Sequence, residues 1–293
     1  MKLVNEIQDT ALIFEGGGMR ASYTAGILNN LLENKIYFNY VAGISAGASH
    51  SVNYLSRDII RAKRSFVDFV LDPNFGGWKS FLKGNGYFNA YYIYEQTPHE
   101  NACLPFDFKT FIDNPAKLRI GTFDMSHGKM KYFSKNDMHN IQNLMKIVRS
   151  SSSMPIFMPP TQIGENVYVD GGLGGGIALD IAQKDGMNKY FVVLSREKGY
   201  RKSPIKFKKT IYTYYKKYPL VADAMINRHI IYNETLDKLY ELEKEGRAFL
   251  VFPDTMPVTS RETNFHKLTK SYQAGYAQGK RDLPRWKEFL HMK

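Results

Sequence analysis

The stretch Tyr40-Val41-Ala42-Gly43-Ile44-Ser45-Ala46-Gly47 joins an apolar run to a helix-like segment that continues from Ala46 toward Ser56. Read as strand, sharp turn and helix, it is a nucleophile elbow with Ser45 at the turn. Gly43 and Gly47 fit that reading, because a side chain at either position would collide with the adjoining strand or helix where the chain reverses. The geometry pushes the serine hydroxyl outward. G-x-S-x-G is a weak pattern by itself in a chain with 23 glycines, so its neighbours decide what it means.

Upstream, Ala11-Leu12-Ile13-Phe14 reads as a buried strand running into Glu15-Gly16-Gly17-Gly18-Met19-Arg20, after which Ala21, Ala25, Leu28, Leu31 and Leu32 recur at helix spacing. Glycines between a strand and a helix leave backbone N–H groups unshielded at a helix N-terminus, where negative charge is favoured. Two uses fit: an oxyanion hole for acyl transfer, or a phosphate cradle. The nucleotide motifs are not satisfied, since no Lys-Ser/Thr follows the loop and Gly26 falls too late. The oxyanion hole is the expected use, with a plain tight turn as the bland alternative.

A nucleophilic serine needs a base, usually histidine. His50 lies five residues beyond Ser45 on the same expected helix, about 7.5 Å along its axis and well round from it. It is poorly placed to serve. His99, His127, His139, His229, His266 and His291 stand in mixed polar surroundings without a supporting motif. Asp170 differs. It ends the alternating stretch Asn166-Val167-Tyr168-Val169 and opens Gly171-Gly172-Leu173-Gly174-Gly175-Gly176, so a strand delivers a carboxylate to a loop that lets backbone or substrate come close.

The glycine loop, the serine elbow and this Asp-Gly-Gly occur in that order, and the set resembles the patatin-like phospholipase family. The resemblance implies Ser45 as nucleophile, Asp170 as its only partner in a Ser-Asp dyad, and the backbone of Gly16, Gly17 and Gly18 as the oxyanion hole. Arg20 matches the basic residue closing the family's glycine motif, and Gly43, Gly47, Gly171 and Gly172 take supporting places. Arg149 to Pro160 resembles the segment before the aspartate strand, and Ile181, Ala182 and Gly186 leading to Lys189-Tyr190-Phe191-Val192-Val193-Leu194 fit the following helix and strand. The likeness covers about residues 9 to 196. It thins beyond, although Phe249-Leu250-Val251-Phe252-Pro253 and Tyr272/Gly275/Tyr276 resemble bacterial members. Ala178 departs from the proline that many relatives carry.

A free aspartate, with a pKa near 3.9, is a feeble base toward a hydroxyl. Burial in a glycine-lined pocket raises that value, and the proton need move only as the hydroxyl attacks. Preorganised N–H donors meeting the developing charge are worth about 3 to 4 kcal/mol each. No metal or other cofactor is expected: HExxH, cysteine clusters and Asp-rich calcium loops are missing from the sequence, and Cys103 is the lone cysteine.

The 293 residues are enough for one large α/β domain. The expectation is a three-layer α/β/α sandwich with a largely parallel central sheet, residues 1–293 forming a single catalytic domain. Its core spans about 9–196, and 197–293 adds a basic segment, a helix, a strand and a C-terminal helix packed on that core. Strands are expected at 11–14, 38–43, 117–124, 129–133, 166–169, 189–195 and 248–252, with helices near 19–34, 46–56, 138–151 and 219–245 and at the end of the chain. A single cysteine points to a reducing compartment, and Met1 to Thr10 carries no apolar signal core. The expected location is cytoplasmic, with a peripheral place at the membrane.

Two stretches bear on the substrate. Thirteen aromatic residues stand between Phe66 and Phe111, with Gly76-Gly77 and Gly84-Asn85-Gly86 as joints; they read either as the wall or lid of an acyl pocket or as packing over the sheet. From Lys198 to Lys217 there are eight Lys/Arg, five aromatic residues and no acid. That composition suits contact with an anionic membrane, or a solvated basic loop. No recognised fold or motif supports nucleic-acid binding. The expected activity is cleavage of carboxylic esters of lipids, a phospholipid or lysophospholipid, through an acyl-enzyme. The alternatives are a general carboxylesterase or acyltransferase, and a non-catalytic lipid-binding protein.

Overall fold

The computed structural model describes residues 3–292. Its centre is an eight-stranded sheet composed of β1 (Ile7–Phe14), β2 (Phe38–Ile44), β3 (Lys117–Asp124), β4 (Lys129–Phe133), β5 (Thr161–Ile163), β6 (Asn166–Asp170), β7 (Lys189–Val193) and β8 (Ala248–Val251). The order is β5-β6-β3-β2-β1-β7-β8, with β4 paired to β3. From β3 to β8 every neighbouring pair is parallel. Strands β4, β5 and β6 are antiparallel additions at one side, so the sheet is largely but not wholly parallel.

The helices are α1 (Ala21–Glu33), α2 (Ala46–Leu55), α3 (Ile59–Phe66), α4 (Trp78–Leu82), α5 (Phe108–Asp113), α6 (Ile141–Ser152), α7 (Leu179–Lys184), α8 (Lys208–Tyr214), α9 (Pro219–Lys244) and α10 (Phe265–Phe289). Local chemistry sets several starts. Asp58, Asn140 and Asn264 accept the backbone N–H three residues on, at 2.7, 2.8 and 3.0 Å, which satisfies donors that a helix N-terminus leaves open. Pro219 opens α9, where its missing N–H costs no hydrogen bond.

Period-two alternation divides the core. Leu12, Phe14 and Val41 face one side of the sheet with Ile27 and Leu31 of α1, Val52 of α2, Val148 of α6 and Trp286 of α10. Ala11, Ile13, Ala42 and Ile44 face the other with Leu179 of α7 and Tyr232 and Leu236 of α9. These layers make the α/β/α sandwich. Helix α10 meets α1 at backbone distance, since a Cβ on Gly275 would stand 2.0 Å from Tyr23 O and one on Gly26 2.3 Å from Tyr276 N. The aromatic stretch, to which the sequence pattern assigns no regular element, contains α3, α4, α5 and a π-helical turn over Tyr92–Gln96.

Candidate active site

Parallel register brings three loops to one end of the sheet. Phe14 pairs with Gly43 on one side and Val193 on the other, so the glycine loop, the Ser45 turn and Ser195 follow directly from three adjacent strands. Strand β3 then links the serine to the aspartate: Gly121 pairs with Ile44, and Thr122 with Asp170. Ser45 and Asp170 overhang β3 from opposite sides. The Ser45 hydroxyl donates to Asp170 Oδ2 at 2.7 Å, and the second carboxylate oxygen accepts the Gly172 N–H at 2.6 Å.

Ser45 has φ 57° and ψ −125°, a backbone conformation that costs a non-glycine residue about 1–3 kcal/mol. Its neighbours hold it there. A Cβ on Gly43 would lie 2.2 Å from Gly47 O, and one on Gly47 would lie 2.1 Å from Phe14 O, so both elbow glycines are dictated by close backbone approach. Ser45 N–H donates to Ser151 Oγ at 2.8 Å, and Ser151 Oγ donates in turn to Gly121 O at 2.6 Å. Ser45 itself is only 6% exposed. Its hydroxyl faces a cavity floor rather than the open surface.

Burial is the main influence on Asp170 and raises its pKa; the Ser45 hydroxyl, the Gly172 N–H and the positive charges of Arg228 and Lys202 oppose it. The carboxyl therefore stands above its ordinary range, as a base for a hydroxyl requires. Histidine has no place here. His50 Nε2 is engaged by Thr24 Oγ1 at 2.8 Å and Ala21 O at 3.1 Å, its ring packs edge-on against Phe66, and burial pushes it down to about 3. Among the described residues no histidine lines either cavity around Ser45.

The glycine loop departs from expectation at Gly16. Its N–H donates to Gly176 O at 3.0 Å, so this donor is tied into the protein and is not open to a substrate. The N–H groups of Gly17 and Gly18 make no hydrogen bond among the described residues. Ala46, the first residue of α2, adds another N–H without an intrahelical acceptor. Arg20 is buried and anchors the loop, its Nε donating to Ser195 O at 3.1 Å; desolvation and then Arg196 lower its pKa to about 10 against the pull of Glu15. Glu15 accepts the Ser195 N–H at 2.6 Å. Gly171 approaches Gly121 O so closely that a Cβ would stand 2.4 Å away. Ala178 occupies the N-cap position of α7 without a side-chain capping bond and is fully buried.

Two cavities meet at Ser45. One, of about 70 Å³, is walled by Phe66, Phe75, Phe88, Ile93, Leu104 and Met158; the aromatic stretch thus lines a space beside the serine as well as packing over the sheet. The other, of about 350 Å³, is bounded by the glycine loop, Asp170 and the basic side chains of Arg20, Arg196, Lys202, Arg228 and Arg261. Lys202 corrects the reading of Lys198 to Lys217 as one outward surface. Its ammonium turns into this cavity over the Tyr232 ring, and burial, then Arg228, push it down to about 7. Ile211 and Tyr215 are buried too, whereas Lys206, Phe207, Lys208 and Lys209 are exposed.

Among the described residues no group of three or more His, Cys, Asp or Glu is placed to hold a metal ion, and no helix is long and apolar enough to cross a membrane.

The fold is an α/β sandwich in which Ser45, at a strained strand-to-helix turn, is hydrogen-bonded to Asp170. The patatin-like phospholipase family model matches residues 12–182, more than half of the chain, and the protein belongs to that family. A domain of unknown function, DUF6363, matches residues 218–291. The chain is 23% identical over 188 residues to the uncharacterized protein YjjU of Escherichia coli (62% of this chain, 51% of YjjU). It is 25% identical over 188 residues to the probable lipid hydrolase 463L of Invertebrate iridescent virus 6 (59% of this chain, 63% of 463L). These matches span between half and two thirds of each relative. The crystal structure of VipD from Legionella pneumophila superposes with a TM-score of 0.53 at 14% identity, covering 94% of this chain and 67% of VipD, which shows a shared fold.

Proposed function

We propose that residues 1–293 act as one catalytic unit that hydrolyses carboxylic esters of lipids through Ser45 and Asp170. The observation that carries this reading is the 2.7 Å hydrogen bond from Ser45 Oγ to Asp170 Oδ2, at the floor where an apolar and a cationic cavity meet. A lipid ester has those two ends.

Ser45 Oγ attacks the ester carbonyl carbon as its proton passes to Asp170 Oδ2. The carbonyl oxygen becomes an oxyanion facing the N–H groups of Gly17, Gly18 and Ala46, in the positive field at the starts of α1 and α2. Collapse breaks the carbon–oxygen bond to the alcohol, which leaves with the proton from Asp170. Water then attacks the acyl-enzyme carbonyl, giving its proton to Asp170, and that proton returns to Ser45 Oγ as the fatty acid departs. The acyl chain occupies the aromatic-walled cavity. The exposed Lys206, Phe207, Lys208 and Lys209 bring the enzyme onto an anionic membrane, where basic side chains meet headgroups and rings settle at the interface.

The test is release of free fatty acid from phospholipid and lysophospholipid in mixed micelles. Wild type is expected to turn both classes over with Ser45→Ala inactive; turnover by Ser45→Ala equal to wild type contradicts the assignment.

A further inference from the structure

Arg20, Arg196, Lys202, Arg228 and Arg261 line one cavity of about 350 Å³. Among the described residues none of the five forms an ion pair. Their partners are neutral. Arg196 lies over the Tyr200 ring, Lys202 over Tyr232 and Arg261 over Phe157, while Arg20 donates to a backbone carbonyl. The Nε of Arg228 is buried without an acceptor. The acids on the same wall are both engaged, Glu15 with the Ser195 N–H and Asp170 with Ser45 and Gly172.

Four arginines, of which Arg261 is exposed to solvent, stand with Lys202, whose pKa burial and then Arg228 push down to about 7, against two carboxylates, and such an excess of basic groups is costly unless something anionic compensates it. Burial is the main cause of the lowered Lys202 pKa, and Arg228, Arg20 and Arg196 each lower it further against the pull of Glu15. Arg228 stands beside the dyad: its Nη2 lies 3.6 Å from the position a Cβ on Gly172 would take, and its charge acts on Asp170. The apolar cavity on the opposite side of Ser45 has no comparable charge excess; Arg61 is the basic residue in its wall.

We propose that this chamber receives the phosphate-bearing headgroup of an anionic lipid and makes the enzyme prefer anionic over zwitterionic lipids. The proposal rests on the lipid-hydrolase reading above. A choline-type headgroup would bring its own ammonium among four arginines and a lysine, whereas a phosphatidylglycerol- or phosphatidate-type headgroup brings only negative charge; guanidinium groups suit phosphate because they donate in a planar fork. Arg196, Lys202, Arg228 and Arg261 all lie beyond the matched patatin segment, which ends at residue 182. Arg228, on α9, and Arg261, in the loop before α10, fall within the region matched to the domain of unknown function. The preference is thus written largely by the last third of the chain.

The test is a competition within one neutral-detergent micelle containing equal amounts of acyl-matched phosphatidylglycerol and phosphatidylcholine. Both lipids share one surface, so surface docking cancels, and the ratio of products cancels any general loss of active enzyme. Wild type is expected to cleave the anionic lipid about tenfold or more faster. Arg228→Gln and Arg261→Gln are each expected to lower that ratio about threefold to tenfold, since a charge-assisted hydrogen bond is worth that much or more. Lys206→Gln/Lys208→Gln/Lys209→Gln, outside the chamber, should leave the ratio intact. Equal cleavage of both lipids by wild type, or an unchanged ratio in both arginine variants, overturns the headgroup assignment while leaving lipid hydrolysis standing. Cleavage of neither lipid overturns both. Inhibition by sub-millimolar inorganic phosphate without any headgroup preference would assign the chamber to free phosphate and overturn the lipid source.

Discussion

The Ser151 hydroxyl accepts the backbone N–H of Ser45 at 2.8 Å and donates to Gly121 O at 2.6 Å, so α6 pins the strained elbow to the strand lying between Ser45 and Asp170. Ser151 touches neither the expected substrate nor the reacting atoms. It is a positioning residue. Ser151→Ala leaves a buried N–H and a buried carbonyl without this partner, at a cost of about 1–3 kcal/mol in stability. Because Ser45 then loses its alignment with Asp170, kcat should fall more than KM rises. Ser151→Thr, which restores a hydroxyl, is expected to recover part of kcat; equal kcat in wild type and Ser151→Ala would remove the positioning role.

The sign of the Asp170 shift gives a second expectation. A carboxyl whose folded pKa is raised favours the protonated fold. The fold therefore loses stability as pH rises from the unfolded value near 3.9 through the folded value, and the loss is complete above it. Asp170→Asn removes a buried charge and should raise Tm relative to wild type at neutral pH, with the gain shrinking as pH falls toward 3.9. Activity has the opposite need, so its acid limb should lie above the ordinary carboxylate range. A Tm difference independent of pH would contradict the burial-driven shift.

Gly47 sets a steric limit. Its Cβ would stand 2.1 Å from Phe14 O, and backbone cannot yield as a flexible side chain does. Gly47→Ala is expected to destabilise by about 3 kcal/mol or more, read from urea unfolding. Substitution at Gly164, with open space but φ +59°, should cost only about 1 kcal/mol.

Much of this site was legible from local spacing, and the remainder depends on contacts far apart in the chain. Ser45, Asp170 and the glycine loops each announce themselves within about six residues, because strand–turn–helix geometry demands glycine at fixed offsets. The longer strands and helices followed from apolar period, although β1 starts at Ile7, and the short elements α3, α4, α5, α8 and β5 left no pattern. Ser151 lies 106 positions from the N–H it receives. The serines at 150–153 were visible as a segment, yet nothing local says which hydroxyl faces the elbow. Gly16 failed as an oxyanion donor because Gly176 O, from a second glycine loop, claims its N–H. Lys202 resembles its basic neighbours in sequence, but Asn233 holds its backbone by two hydrogen bonds and its ammonium turns inward over the Tyr232 ring.

The aromatic-walled cavity predicts control of chain length. Ile93→Phe should fill space beside Ser45, costing about 1–3 kcal/mol in stability, and should lower the rate ratio for long against short p-nitrophenyl esters. A ratio equal to that of wild type would place the acyl chain elsewhere.

Activation of Ser45 by Asp170 alone is tested most directly by fluorophosphonate labelling followed by mass spectrometry of the adduct. Wild type should carry one adduct, on Ser45. Ser45→Ala should carry none, and Asp170→Asn should label about 10³-fold more slowly or not at all, while His50→Ala, if folded, should label at a rate near wild type. An adduct on another serine, or labelling of Asp170→Asn at the wild-type rate, would contradict the dyad.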